Sequence, residues 1–392
     1  MNINPRSTTP VPPAILELAF RPFFLLGALF SVIALIMWSL LLNGSISTAI
    51  YGGSLWWHIH EMLFSFATAI ITGFLLTAVQ NWTGVPSISG KKLMWLVLLW
   101  LSARVLFFMP ALVPQWFIAV IDVSFLPAVA IALGYPIVKV KLWRNLMFIP
   151  ILLAMASTNI AMHVAAINND PMLMSNASTA MVLMVTLVMT IMGGRVFPMF
   201  TANGTQTSRV ATIEWLDTTT ITSTVFVIFI TLGVIDISGA IKAILLFSCA
   251  FFHIIRVARW KVWVTLRTPL VWSLHFSYWC IPIGLIIFGL SEISPMFTHS
   301  QAIHTLTVGA MGSMILSMIS RVSLGHTGRQ IIVGKAMTFA LVAIIFSFVV
   351  RVFGGYWLED YMEVINTAVF FWVVGYGSFF VLYLPILTKP RV

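Results

Sequence analysis

Apolar runs of about 20 residues recur along the whole chain, the length an α-helix needs to cross the hydrocarbon core of a bilayer. They fall at about 23–43, 57–80, 91–110, 115–136, 146–168, 178–200, 220–236, 239–259, 270–291, 301–321, 336–354 and 362–387. In lipid every backbone N–H and C=O must be satisfied within the protein, so such runs fold as helices. The expected fold is all-α, a polytopic transmembrane helix bundle with about twelve spans. Short loops leave a single integral membrane domain over 1–392, with a short polar, proline-punctuated N-terminal segment at 1–22. That segment lacks a short apolar core followed by a small-residue cleavage site, so no cleaved signal peptide is expected. Composition agrees, with 60% hydrophobic and 8% charged residues and a mean hydropathy of +1.02.

The net charge of +10 would suit a nucleic-acid binder, but the basic residues lie in short loops and form no patch on a soluble domain. The expected partner is the lipid bilayer, with no nucleic acid. Arg6, Arg21, Lys91, Lys92, Lys139, Lys141, Arg144, Arg195, Arg209, Arg256, Arg259, Lys261, Arg267, Arg321, Arg329, Lys335, Lys389 and Arg391 all fall at one side, all but three of the 21 Lys and Arg. Asp170, Asp236, Glu292, Glu359, Asp360 and Glu363 fall at the other. The positive-inside rule makes the basic side, and both termini, cytoplasmic. Trp56, Trp57, Trp116 and Trp357 near one face, and Trp82, Trp143, Trp215, Trp260, Trp263 and Trp272 near the other, fit interfacial belts. Cys249 and Cys280 lie inside apolar runs and form neither a disulfide framework nor a haem-attachment motif.

With this topology the histidines sort by depth. His58, His60, His163 and His304 share the outer third of the membrane, and His299 sits in the preceding outer loop. His253, His275 and His326 lie towards the inner side. A lone intramembrane histidine is more often a hydrogen-bonded packing residue than a ligand. Four at one level from three helices point to metal or haem binding, because imidazole is the commonest metal ligand. His299 reads as a bystander. At 100° per residue His58 and His60 point about 200° apart, so an undistorted helix cannot aim both at one ion. They serve two neighbouring centres, or one ligates and the other supports it. Glu61 is placed to fix the tautomer of a ligating imidazole, to deliver protons to a buried reaction, or simply to pack against Trp or His.

Arg104 and Asp122 face each other across a helical hairpin and read as a buried ion pair, with a haem-propionate contact as the sharper role for Arg104. Cys249 and His253 share a helical face, and without a second thiolate they read as packing. Met311, Met314 and Met318 form a stripe that reads first as gap-filling. Gly309 and Gly312 suggest close helix approach.

Longer motifs run through the chain in order: Phe20-Arg21-Pro22-Phe23-Phe24-Leu25, Trp57-His58-Ile59-His60-Glu61-Met62, Gly73-Phe74-Leu75-Leu76-Thr77-Ala78 with Asn81-Trp82-Thr83-Gly84, Gly193-Gly194-Arg195-Val196-Phe197-Pro198, Trp272-Ser273-Leu274-His275, His304-Thr305-Leu306-Thr307-Val308-Gly309-Ala310, and the stretch from Ser320 to Arg329. Together they resemble the NnrS family over nearly the whole chain. The resemblance implies a multi-pass protein of the bacterial inner membrane that contains haem, b-type and non-covalent, together with copper. It also implies a role in nitric oxide metabolism, denitrification and NO resistance. The family's histidine positions carry over to His58, His60, His163, His275, His304 and His326, within matching motifs.

Three functions are consistent with these residues. The first is an oxidoreductase reducing NO to nitrous oxide at a haem-copper centre, with Glu61 as the acid and electrons from membrane quinol or an unidentified donor. The second is a haem protein that binds NO or relieves NO stress without turnover. The third is a proton- or metal-coupled transporter.

Overall fold

A computed structural model describes residues 12–233 and 237–392. Arg6 and Asp236, used above to orient the chain, lie outside them. The described residues are all-helical, with no strand. Twelve long helical segments run in order: α1 (Phe20–Leu42), α2 (Gly53–Thr83), α3 (Gly90–Leu106), α4 (Gln115–Lys139), α5 (Phe148–Asn168), α6 (Pro171–Thr205), α7 (Glu214–Thr231), α8 (Gly239–Ala258), α9 (Pro269–Ile293), α10 (His299–His326), α11 (Lys335–Phe353) and α12 (Tyr361–Thr388). Ten of these are long and apolar enough to cross a membrane. The exceptions are α3, with 17 residues, and α7, whose first turn carries Glu214 and Asp217 ahead of a threonine-rich stretch. Ten rather than twelve helices therefore qualify by length and apolarity.

Burial separates the helices into two sets. The apolar cores of α6, α2, α9 and α10 are 89%, 83%, 72% and 67% buried, whereas those of the other qualifying helices are 28% to 44% buried. The four interior helices carry just over half of the buried polar side chains among the described residues, as expected where lipid is as apolar as leucine and association relies on close packing and internal polar contacts. Gly309 and Gly312 show the close packing directly. A Cβ at Gly309 would stand 2.8 Å from the Phe348 ring of α11, and one at Gly312 would stand 2.7 Å from Trp372 of α12.

The start of α1 and the end of α12 meet at one end of the bundle, where the Arg21 guanidinium donates to the carbonyls of Leu387 and Lys389 at 3.0 and 2.6 Å. The opposite, distal end holds the loops around residues 44–52, 107–114 and 294–298.

Two interior helices depart from regular winding near that distal end. In α2 the α-helix runs through His60, and a π-helix follows at Glu61–Ala67. In α10 the α-helix runs through His304, and a π-helix follows at Thr305–Gly312. Each wide turn adds a residue and moves carbonyls off the normal ladder, a feature that clusters at functional sites. One such carbonyl, of Ser65, accepts the indole N–H of Trp100 at 3.2 Å.

The proposed tryptophan belts hold only in part. Trp116, Trp143, Trp215, Trp263 and Trp357 are exposed, but Trp56, Trp57 and Trp260 are buried. The Trp56 indole donates to the Met162 carbonyl at 2.8 Å, and Trp260 packs edge-on against Tyr278. A tryptophan with an internal partner for its N–H has no need of the interface.

Candidate functional site

The four histidines of the distal layer separate into two groups on opposite sides of α2. Winding is α-helical from Gly53 to His60, so the divergence of about 200° between His58 and His60 survives intact.

His58 faces a cavity of about 420 Å³ enclosed by six helices, with Trp38, His58, Thr179, His304, Arg351 and Trp372 among its walls. That size lies within the usual range for small-molecule sites. The His58 ring stacks flat on Trp38, with centroids 4.4 Å apart and planes 8° from parallel. Its Nδ1 is buried and has no hydrogen-bond partner among the described residues. An orphaned buried nitrogen costs about 1–3 kcal/mol and calls for an explanation. His304 is held differently. Its Nδ1 donates to the Ser300 carbonyl at 2.7 Å, one turn back in the same helix, which leaves the lone pair on Nε2.

His299 is the first residue of α10 and lines the same cavity. The sequence reading set it aside as a loop residue, but the capping box at Thr298 and Gln301 starts the helix early enough to bring it to the wall. Its Nε2 lies 3.2 Å from Thr179 Oγ1.

His60 points away from the cavity, into a polar cluster built by α2, α3, α4 and α5. Its ring lies between Trp56 and Phe64, at 4.5 and 5.1 Å. Nδ1 lies 2.9 Å from Glu61 Oε1. Nε2 lies 3.0 Å from Asp122 Oδ2 and 2.9 Å from Asn159 Oδ1. His163 Nε2 lies 3.2 Å from the same Asp122 oxygen, and its Nδ1 lies 3.0 Å from the Tyr51 hydroxyl. Arg104 pairs with Asp122 through Nη2. Its Nε is 2.8 Å from Glu61 Oε2, but the N–H is misdirected, so this contact is an ion pair and not a hydrogen bond. Asn159 donates to Asp122 Oδ2 at 2.7 Å. His60, Glu61, Asp122 and His163 are all buried.

One guanidinium against two carboxylates leaves this cluster one negative charge in excess when both imidazoles are neutral. Both contacts of His60 Nε2 are acceptors, so this nitrogen needs either a second ring proton or a metal ion in front of it. The ligand-type atoms of His60, Asp122 and His163 lie within 4.8 Å of one another. Donors around a tetrahedral ion with bonds of about 2.0–2.1 Å stand about 3.3 Å apart. The Asp122 contacts to the two imidazoles, at 3.0 and 3.2 Å, already approach that spacing.

Of the other residues singled out in the sequence, Arg104 is committed to the two carboxylates and is not on the cavity wall. His275 is buried beside Thr201, 2.8 Å from its hydroxyl, with Nδ1 unpartnered. His326 lies against Phe20. Neither lines the cavity nor touches the cluster. His253 has both nitrogens occupied, by Thr224 and Tyr278 at 3.1 Å each, and Cys249 lies beside Ser223 and Thr224.

The molecule is thus a polytopic helical membrane protein with an apolar, histidine-lined cavity on one side of an interior helix and a buried His–Asp–His group on the other. The family model described as NnrS protein matches residues 14–391, nearly the whole chain, and the chain belongs to the NnrS family. A search of curated proteins gave no match. Family membership points to a membrane protein related to nitric oxide.

Proposed function

We propose that this chain is a haem- and copper-holding protein of NO metabolism in the bacterial inner membrane, with about twelve spans and both termini cytoplasmic. In this reading its two centres are separate. The observation that carries it is the opposed placement of His58 and His60 on α2. His58 with an unpartnered nitrogen, and His304 with its lone pair directed to Nε2, line a mostly apolar cavity that suits the body of a haem. His60, His163 and Asp122 suit a small cation such as copper. Glu61 accepts from His60 Nδ1 and Tyr51 from His163 Nδ1, which leaves both Nε2 lone pairs for the ion, the usual arrangement behind ligating imidazoles.

Bound haem would supply an iron atom that takes NO directly. The protein's own part is to exclude water with Trp38, Trp372 and the apolar wall, and to hold the two imidazoles. Capture of NO in the cavity is the function this geometry supports best. Reduction is the second reading: two NO, two electrons and two protons give nitrous oxide and water. Glu61 carries a carboxylate suited to that proton chemistry, but it is fully buried on the far side of α2 and is not part of the cavity wall. A centre shared by haem and copper would need both imidazoles on one face. In the reductive reading electrons come from membrane quinol or another donor.

Anaerobic purification, metal analysis and an optical spectrum test the first reading. Haem whose Soret band shifts on NO addition is expected. A colourless protein, unable to take up added haemin, would refute it and favour a transporter. Nitrous oxide formed in step with quinol oxidation would instead establish the reductive reading.

A further inference from the structure

The cavity holds a cation that the ligand set does not use. Arg351 of α11 reaches the wall that also bears His58 and His304. Every other guanidinium deep among the distal helices has a carboxylate: Arg104 pairs with Glu61 and Asp122. Arg351 has none within ion-pairing distance among the described residues, although Glu359, Asp360 and Glu363 lie nearby in sequence. Asp360 is engaged in capping α12, accepting from the Met362 amide at 2.9 Å. The Arg351 neighbours are polar but neutral. Its Nη2 donates weakly to Ser300 Oγ at 3.4 Å, and its guanidinium lies 6.0 Å from the Tyr361 ring. Tyr361 and Ser300 are exposed, so this corner is the mouth of the cavity.

A half-buried guanidinium without a counter-charge leaves its donors poorly matched, and its fork of N–H groups fits a carboxylate. We propose that Arg351, flanked by Ser300 and Tyr361, is the carboxylate-binding end of the cavity. The occupant then has an apolar body that fills the space beside His58 and His304, and a carboxylate at its edge that pairs with Arg351. This assignment rests on the haem reading above, and it names the propionate edge of the porphyrin as the part read at the mouth. Arg104, the sequence's candidate for that contact, is spent on the other side of α2.

The test uses the full chain in phosphatidylcholine nanodiscs, stripped of cofactor and titrated with haemin and with haemin dimethyl ester. Wild type is expected to bind the diacid at least about tenfold more tightly than the diester, the scale of one charge-assisted hydrogen-bonded pair. Arg351→Gln should lose most of that preference while its Soret position stays that of wild type. Arg351→Lys, which keeps the charge without the fork, should fall between. Comparing ratios across variants cancels the greater partition of the ester into lipid. An unchanged diacid preference in Arg351→Gln would overturn the proposal while leaving the haem reading standing. If His58→Ala and His304→Ala bind haemin with wild-type affinity and spectrum, the haem reading itself fails, and this assignment with it.

Discussion

Asp122→Asn is the most informative single change in the buried cluster, because it alters one charge and almost no volume. In the native protein the Asp122 carboxylate faces Arg104 through one oxygen and Asn159, His60 and His163 through the other. An amide has a single acceptor oxygen, so it cannot take the Arg104 donor on one side and the Asn159 donor on the other, as the carboxylate does. Breaking a buried pair by removing one partner costs about 3–5 kcal/mol. The lower end applies here, since Arg104 keeps Glu61 at 2.8 Å. Arg104→Met should cost more than Asp122→Asn, because it strips the counter-charge from two carboxylates and not one. Reversible unfolding of metal-free protein in mixed detergent micelles gives both values. A loss of about 3 kcal/mol lowers the folding constant roughly 150-fold. If Asp122→Asn costs less than about 1 kcal/mol, or if Arg104→Met is the milder of the two, the Arg104 ion pairs do not hold the cluster together as described.

Two further perturbations separate support from packing. Tyr51→Phe removes the acceptor at His163 Nδ1 and should weaken copper binding by about 10–100-fold in a chelator competition, with haemin binding unchanged. Gly309→Val places new atoms against Phe348 and Cys280, 2.8 and 3.2 Å from a Cβ, and should destabilise by about 1–3 kcal/mol in the same unfolding assay. At Gly377 a Cβ meets nothing, and Gly377→Ala should be neutral or slightly stabilising.

Much of the helical architecture is legible in apolar run length alone, since lipid leaves the backbone no alternative. The separation of His58 from His60 is legible too, because the angular rule needs only that α2 stay α-helical as far as His60, and the π-helix begins one residue later. The π-helices themselves are not legible. Nothing in Glu61–Ala67 or Thr305–Gly312 marks a wider turn, which depends on what the neighbouring helices offer the displaced carbonyls. Tyr51 and Asn159 are missed because a single polar residue in or beside an apolar run carries no pattern until α5 is packed against α2. Arg351 escapes notice for the opposite reason: near a helix end it reads as an ordinary interfacial cation, and only the cavity shows what it faces. His299 is misplaced by about two residues, because the Thr298 cap starts α10 ahead of its apolar run. Trp56 and Trp260 lie at the right sequence distance for a belt, but inward rotation buries them.

The central claim is that α2 divides two centres, one held through His58 and the other through His60. Haem and copper content of purified His58→Ala and His60→Ala, measured on the same preparations, tests it most directly. His58→Ala is expected to lose haem and keep copper, and His60→Ala to keep haem and lose copper. Loss of both cofactors together in each folded variant would mean one shared centre and would contradict the account.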